Sequence, residues 1–90
     1  MIARRFVVTG IVQGVGYRIF ALRAAEARGV RGWVRNLPGG GVEVLAEGEA
    51  VEIDRMREEL RAGPRHAKVD SLVESEEAPT GRFSGFDVTY

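Results

Sequence analysis

The 90-residue sequence predicts an α+β fold, namely a ferredoxin-like two-layer sandwich of the βαββαβ type, with an antiparallel sheet and two helices on one face. The first observation is the order of the segments. Alternating and helically spaced apolar residues follow one another as strand, helix, strand, strand, helix and strand, plus a C-terminal piece. The second observation is the size of the chain. The scaling of surface area with molecular mass gives a folded surface of ~5,200 Å², which allows one modest core.

Glycine, proline and side-chain spacing set the bounds of the predicted elements. Gly29 ends the first helix, Gly63 and Pro64 end the second, and the cluster 37–41 is the turn of a central hairpin. In the second hairpin strand, valines and alanine occupy one face and two glutamates the other, and residues 74–81 are polar and loop-like. The predicted strands are residues 4–10, 31–36, 42–47, 67–74 and 83–90, and the predicted helices are residues 19–28 and 50–62.

Composition excludes several classes of function. Thirteen basic and thirteen acidic side chains give a formal net charge of zero, which argues against a nucleic-acid or anionic-membrane partner. The absence of cysteine excludes disulfides and cysteine-metal sites. No apolar run approaches the ~20 residues of a membrane span. The first residues also lack a signal-peptide core, so a cytoplasmic location is expected.

The stretch V-Q-G-V-G-Y-R, between the first strand and the first helix, predicts an anion site. Glycine costs conformational entropy, so Gly14 and Gly16 within three residues need a reason. A glycine-rich turn into a helix points backbone N–H groups into one concavity, where the helix N-terminus adds positive charge. Arg18, at the start of that helix, offers a planar fork for a phosphate or carboxylate.

Two familiar nucleotide loops do not fit this stretch. A Walker A loop ends in Gly-Lys-Ser/Thr, whereas Tyr17 and Arg18 follow the second glycine. A dinucleotide loop needs a third glycine where Ile19 stands and an acidic residue near the position of Asn36. Taken alone, the stretch is equally compatible with a tight turn that binds nothing.

A second stretch, G-W-V-R-N followed by a turn and V-E-V, changes this balance. Together with the first stretch it resembles the acylphosphatase family, small hydrolases of carboxyl-phosphate bonds, and the resemblance covers essentially the whole chain. It implies a single acylphosphatase-like domain over residues 1–90. Ile11, Tyr17 and the pair Gly39 and Gly40 depart from the common family pattern. The matching residues are Gly10, Val12–Arg18, Gly32–Asn36 and Val42–Val44.

The resemblance also implies a mechanism without cofactor, metal or covalent enzyme intermediate. Arg18 and the loop N–H groups would bind the substrate phosphate, and Asn36 would position the attacking water. The expected partners are a small acyl phosphate and inorganic phosphate, which is product and inhibitor, with no nucleic acid or membrane, and the chain is expected to be a monomer. The loop residues concerned are Gln13, Gly14, Val15, Gly16, Tyr17 and Arg18.

Other interpretations remain open at this point. The chain could be a non-enzymatic anion-binding or regulatory module, because fold alone does not determine function. An RNA-recognition domain shares the layout, but the central strand here has no aromatic residue and carries two glutamates. Asn36 could simply form the turn that follows it. Trp33 is expected in the core or as partial cover, Arg35 in a solvated position or an ion pair, and His66 in a loop without a role.

Overall fold

The computed structural model describes all 90 residues and contains five strands and two helices. Their order confirms the predicted βαββαβ succession, with one further strand at the end. The strands are β1 (Ile2–Ile11), β2 (Arg31–Asn36), β3 (Val42–Gly48), β4 (Lys68–Glu77) and β5 (Phe86–Thr89), and the helices are α1 (Tyr17–Ala27) and α2 (Ala50–Ala62).

The sheet has the strand order β4-β1-β3-β2-β5. The first four strands pair antiparallel, whereas β5 pairs parallel to β2. The sheet is therefore mixed, and the prediction of an antiparallel sheet is wrong at this edge. The reason is the connection after β4, which crosses from one edge of the sheet to the other before β5 begins, so that β5 enters beside β2 in the same direction.

The core lies between the two helices and one face of the sheet. Alternate residues of the two central strands meet there in register, as in the pairs Phe6 with Val44 and Val8 with Val42. Helix α1 contributes alanines, whose small side chains let the helix approach the sheet closely. The fully buried side chains of α2 follow helical spacing, as predicted: Ile53, Met56 and Leu60. Neither helix is long and apolar enough to cross a membrane.

Several boundaries differ from the predicted ones, including the start of β5, which lies at Phe86 and not at residue 83. Helix α1 begins at Tyr17, two residues before the predicted start, because the glycine loop leads directly into the first turn. Strand β4 continues to Glu77 through residues expected in a loop, because β1 supplies pairing partners along its full length. The predicted stop at Gly29 is confirmed: its φ is 65°, and the N–H of Val30 donates to the carbonyl of Ala25.

The sheet face away from the helices, here called the open face, carries Arg5, Trp33, Arg35, Glu43 and Glu47. The two glutamates are 1% and 2% exposed, so β3 presents no acidic surface to solvent. Buried carboxylates require partners. The Glu43 carboxylate accepts hydrogen bonds from the guanidinium groups of Arg5 and Arg35, which confirms the ion pair expected for Arg35.

Candidate active site

The candidate site lies at one end of the sheet, where the loop between β1 and α1 meets the turn between β2 and β3. The loop, residues 12–16, is here called the cradle. Gly14 and Gly16 have φ of 75° and 81°, in the left-handed region that glycine adopts most readily. A Cβ at either position would meet no protein atom within 4 Å. The protein therefore requires these glycines for their backbone conformation and leaves the space beside them free of its own atoms.

The backbone N–H groups of residues 13–19 donate no hydrogen bond to any backbone or side-chain acceptor of the chain. The first N–H that does so is that of Phe20, at 3.1 Å from the carbonyl oxygen of Gly16. Helix α1 has no side-chain cap and no acidic residue in its first turn. This end of α1 therefore keeps its partial positive charge available to an anion.

Arg18 lies in the first turn of α1, with its guanidinium directed toward the end of β5. Its Nη1 donates a long hydrogen bond of 3.5 Å to the carbonyl oxygen of Thr89, and the group lies 5.0 Å from the centre of the Tyr90 ring. Thr89 and Tyr90 were not singled out in the sequence. They are about seventy residues from Arg18, and no local sequence pattern predicts a contact between residues so far apart in the chain.

Asn36 is the last residue of β2. Its carboxamide oxygen Oδ1 is buried and accepts no hydrogen bond, and it is the one buried side-chain nitrogen or oxygen atom in the protein without a partner. The following turn is closed by backbone groups, because the N–H of Leu37 donates to the carbonyl of Gly41 and that of Gly40 to the carbonyl of Leu37. The Asn36 oxygen therefore takes no part in the turn that it precedes.

Gln13 connects the cradle to that turn. Its Nε2 donates to the carbonyl oxygens of Leu37 and Gly41, both at 2.8 Å. These bonds tie the start of the cradle to the residue that directly follows Asn36. The structure thus brings the cradle, Arg18 and the end of β2 to the same end of the sheet.

Tyr17, the first residue of α1, directly follows the cradle, and its side chain points into the core. Its hydroxyl donates to the carbonyl oxygen of Leu60 at 2.6 Å, and burial raises the pKa of this phenol above its ordinary value. Only the backbone N–H of Tyr17 is thus available at the site. His66 is exposed between α2 and β4, and no group of three or more His, Asp and Glu side chains is arranged to hold a metal ion.

Comparison with known proteins shows the family to which the chain belongs. The family model described as Acylphosphatase matches residues 4–88. The chain is similar to an acylphosphatase of Pasteurella multocida, with 41% identity over the whole of both chains. It is 49% identical to an acylphosphatase of Methylococcus capsulatus, over 90% of this chain and 88% of that one. The crystal structure of acylphosphatase from Bacillus subtilis superposes with a TM-score of 0.96, at 34% identity and full coverage of both chains. The chain belongs to the acylphosphatase family.

Proposed function

We propose that the chain hydrolyses small acyl phosphates by direct attack of a water molecule held at Asn36 on a phosphoryl group bound in the cradle. The N–H groups of residues 13–18 and the guanidinium of Arg18 bind the phosphoryl oxygens. The water oxygen forms a bond to phosphorus while the bond between phosphorus and the acyl oxygen breaks. An acyl phosphate dianion and water then give a carboxylate and dihydrogen phosphate.

The observation that carries the proposal is the unpartnered Oδ1 of Asn36. A buried acceptor without a hydrogen bond destabilises a fold by about 1–3 kcal/mol, so such atoms concentrate where a ligand or water completes them. A water that donates to Oδ1 is held in position beside the cradle. Positioning of this kind is the main contribution that a protein makes when the leaving group is already good.

The charges at the candidate site fit the remaining requirement, which is neutralisation of the phosphoryl group. The N–H groups of residues 13–19 are free, and the Arg18 guanidinium makes only one long hydrogen bond, to the Thr89 carbonyl, so both are available to the phosphoryl oxygens. The carboxylate is a good leaving group and needs no general acid to protonate it as it leaves the phosphorus. Neither the cradle nor the hairpin turn contains a carboxylate or an imidazole, so the proposal assigns the water's protons to the phosphoryl oxygens.

Turnover of benzoyl phosphate and acetyl phosphate by the purified chain tests the proposal. We expect hydrolysis of both, competitive inhibition by inorganic phosphate, and unchanged rates in excess EDTA. Phosphate binding without turnover would instead identify an anion-binding module. Activity that EDTA abolishes and a divalent ion restores would contradict the proposed metal-free mechanism.

The proposal extends to the state of the chain in the cell. The proposed site is complete within one chain, so the proposed reaction needs no second copy and we propose a monomer; the zero net charge supports a partner that is a small molecule rather than a nucleic acid. Sedimentation equilibrium at micromolar concentration should give the mass of one chain. A cytoplasmic location is tested by fractionation of cells that express the full-length protein.

A further inference from the structure

The hydroxyl of Tyr17 is a buried polar group that the proposed reaction does not use. Tyr17 is 1% exposed, and its hydroxyl donates to the carbonyl oxygen of Leu60 at 2.6 Å. Leu60 lies in the last turn of α2, so this bond joins the first residue of α1 to the end of the other helix. A phenylalanine would fill the same space without making the bond.

The Leu60 carbonyl needs this donor because of the proline that follows α2. In a continuing α-helix, the carbonyl of residue 60 accepts a hydrogen bond from the N–H of residue 64. Residue 64 is a proline, which has no N–H. The preceding carbonyl, that of Glu59, accepts from the N–H of Gly63 at 2.9 Å, whereas no backbone N–H of the chain donates to the Leu60 carbonyl. The Tyr17 hydroxyl therefore supplies the donor that Pro64 lacks.

The Tyr17 ring packs against the same end of α2. Gly63 has a φ of 73°, and a Cβ at this position would lie 3.6 Å from Cε2 of the Tyr17 ring. Helix α2 is itself held in the core by Ile53, Met56 and Leu60, all 0% exposed. The end of α2 is therefore a rigid support to which the ring and the hydroxyl of Tyr17 are both attached.

The backbone of Tyr17 belongs to the candidate site. Its N–H is one of the free groups of residues 13–19, and Arg18 directly follows it. No backbone N–H of α1 before that of Phe20 makes a hydrogen bond within the chain, so few bonds hold the first turn. Besides the long bond from Arg18 to Thr89, the bond from Tyr17 to Leu60 is the only side-chain hydrogen bond made by residues 16–19.

We propose that Tyr17 is a positioning residue for phosphate binding: its hydroxyl fixes the first turn of α1, so that the free N–H groups and Arg18 are in place before the anion binds. The inference rests on the proposed function, because it takes the phosphoryl group to be bound by the cradle and Arg18. Without the hydroxyl, the ligand must order this turn as it binds, and the ordering weakens its affinity. Once the ligand is bound the geometry is the same, so kcat changes less than affinity.

Tyr17→Phe tests the proposal, because it removes the hydroxyl and keeps the ring in the core. We expect the Kd of inorganic phosphate and the KM for acetyl phosphate to rise about fivefold, the contribution of one hydrogen bond, with kcat within about twofold of the wild-type value. Calorimetry and steady-state kinetics measure these constants.

Ile53→Val is the matched control, since it also weakens the buried face of α2 but lies two helical turns before Leu60. Both variants should lower Tm by about 4 °C or more. The control should leave phosphate Kd, KM and kcat within about twofold of wild type, because loss of stability alone does not alter a site in the folded protein. If Kd and KM in Tyr17→Phe match those of Ile53→Val, the proposal is overturned.

Hydrogen exchange of the Phe20 amide, followed by NMR, tests the same proposal in the absence of ligand. This amide makes the first backbone hydrogen bond of α1, to the carbonyl of Gly16. A helix end opens locally, so its exchange should be about fivefold faster in Tyr17→Phe and nearly unchanged in Ile53→Val. Saturating phosphate should restore slow exchange in Tyr17→Phe. Exchange that is as slow in Tyr17→Phe as in the wild type contradicts the proposal.

Failure of this proposal is distinguishable from failure of the proposed reaction. If the wild type hydrolyses acyl phosphates, but Tyr17→Phe alters neither phosphate Kd nor Phe20 exchange more than Ile53→Val does, the proposal for Tyr17 alone is wrong. If the wild type binds phosphate without turnover, and Tyr17→Phe weakens that binding, the reaction is wrong and Tyr17 positions an anion-binding loop.

Discussion

Two roles are possible for Asn36: it could stabilise the turn that follows it, or it could position the attacking water. Asparagine before a Pro-Gly turn is typically a turn former, because its side chain can hydrogen-bond the nearby backbone. In this protein the backbone closes the turn, and the Asn36 oxygen is buried without a partner. The residue therefore does not stabilise the turn through that oxygen, which leaves it available to position a water.

Asn36→Ala should lower kcat at least about 100-fold, the effect seen when one positioned polar group is deleted from an active site. The Kd of inorganic phosphate should change little, because the cradle and Arg18 are intact. Steady-state kinetics, phosphate calorimetry and thermal unfolding on the same variant check this. A lower Tm with unchanged kcat would instead identify Asn36 as a turn residue.

Arg18 should contribute mainly to phosphate binding. Loss of a charge-assisted pair costs about 1.5–3 kcal/mol, so Arg18→Ala should weaken phosphate binding roughly 10- to 150-fold and abolish measurable turnover. Arg18→Lys should recover little, because an ammonium group cannot form the bidentate contact of a guanidinium. Calorimetric titration with phosphate measures both variants, with Arg23→Ala, an exposed arginine of α1, as control. A lysine variant with nearly wild-type affinity and rate would contradict the bidentate contact.

At the level of secondary-structure elements, the site depends on how the cradle and the β2–β3 hairpin are held relative to each other. The two hydrogen bonds donated by Gln13 are the direct polar link between them. They join a loop that would bind the phosphoryl group to the turn next to the residue that would hold the water. A link of this kind controls the alignment of nucleophile and phosphorus more than the affinity for phosphate.

Gln13→Glu is the sharpest test of this link, because a carboxylate of the same length cannot donate to the carbonyls of Leu37 and Gly41. We expect kcat to fall about tenfold or more in Gln13→Glu and in Gln13→Ala, with a smaller change in KM for Gln13→Ala. The glutamate variant should also weaken phosphate binding, because it adds a negative charge at the cradle. If Gln13→Ala alters phosphate Kd and kcat by the same factor, Gln13 orders the cradle alone.

For the whole molecule, the connection between β4 and β5 determines where the last strand lies. The Glu47 carboxylate, on the central strand β3, accepts hydrogen bonds from the N–H and hydroxyl of Thr80 and from the N–H of Gly81. Arg31 donates to the carbonyl of Phe83 from the neighbouring strand. These contacts hold the crossing segment over the open face and deliver β5 to the edge beside β2, next to Arg18.

Glu47→Gln should destabilise the fold at neutral pH and much less at low pH. Burial alone would raise the pKa of the Glu47 carboxyl, but the hydrogen bonds from Thr80 and Gly81 lower it below the ordinary 4.5. Since the folded-state pKa is lowered, the stabilisation is present above that ordinary value and is lost as the pH falls through the folded-state pKa.

Denaturant unfolding of wild type and Glu47→Gln between pH 7 and pH 3 measures this effect. The difference in unfolding free energy should be constant down to about pH 5 and shrink below about pH 4.5. Glu26→Gln, at an exposed position of α1, is the control and should change the unfolding free energy by less than about 0.5 kcal/mol. A difference for Glu47→Gln that is independent of pH would show that its carboxylate is not responsible.

Features that depend on neighbouring residues were predictable from the sequence. Both helices, the central hairpin and the left-handed glycines of the cradle follow from local spacing and backbone preference, which adjacent residues carry. The total surface of 5191 Å² agrees with the value expected from chain length, because compact chains of one size expose similar areas. The two family motifs also indicated the correct family, since they lie in these local segments.

Features that depend on contacts between residues far apart in sequence could be identified only from the tertiary structure. The parallel direction of β5, the burial of Glu43 and Glu47 and the contacts of Arg18 with Thr89 and Tyr90 are absent from any local pattern. Alternation along β3 correctly placed the glutamates on one face, yet it could not show that arginines and a crossing loop would cover them. Such pairings depend on how segments far apart in sequence pack together. Within that packing, ion pairs and hydrogen bonds outweigh the preference of each charged residue for solvent.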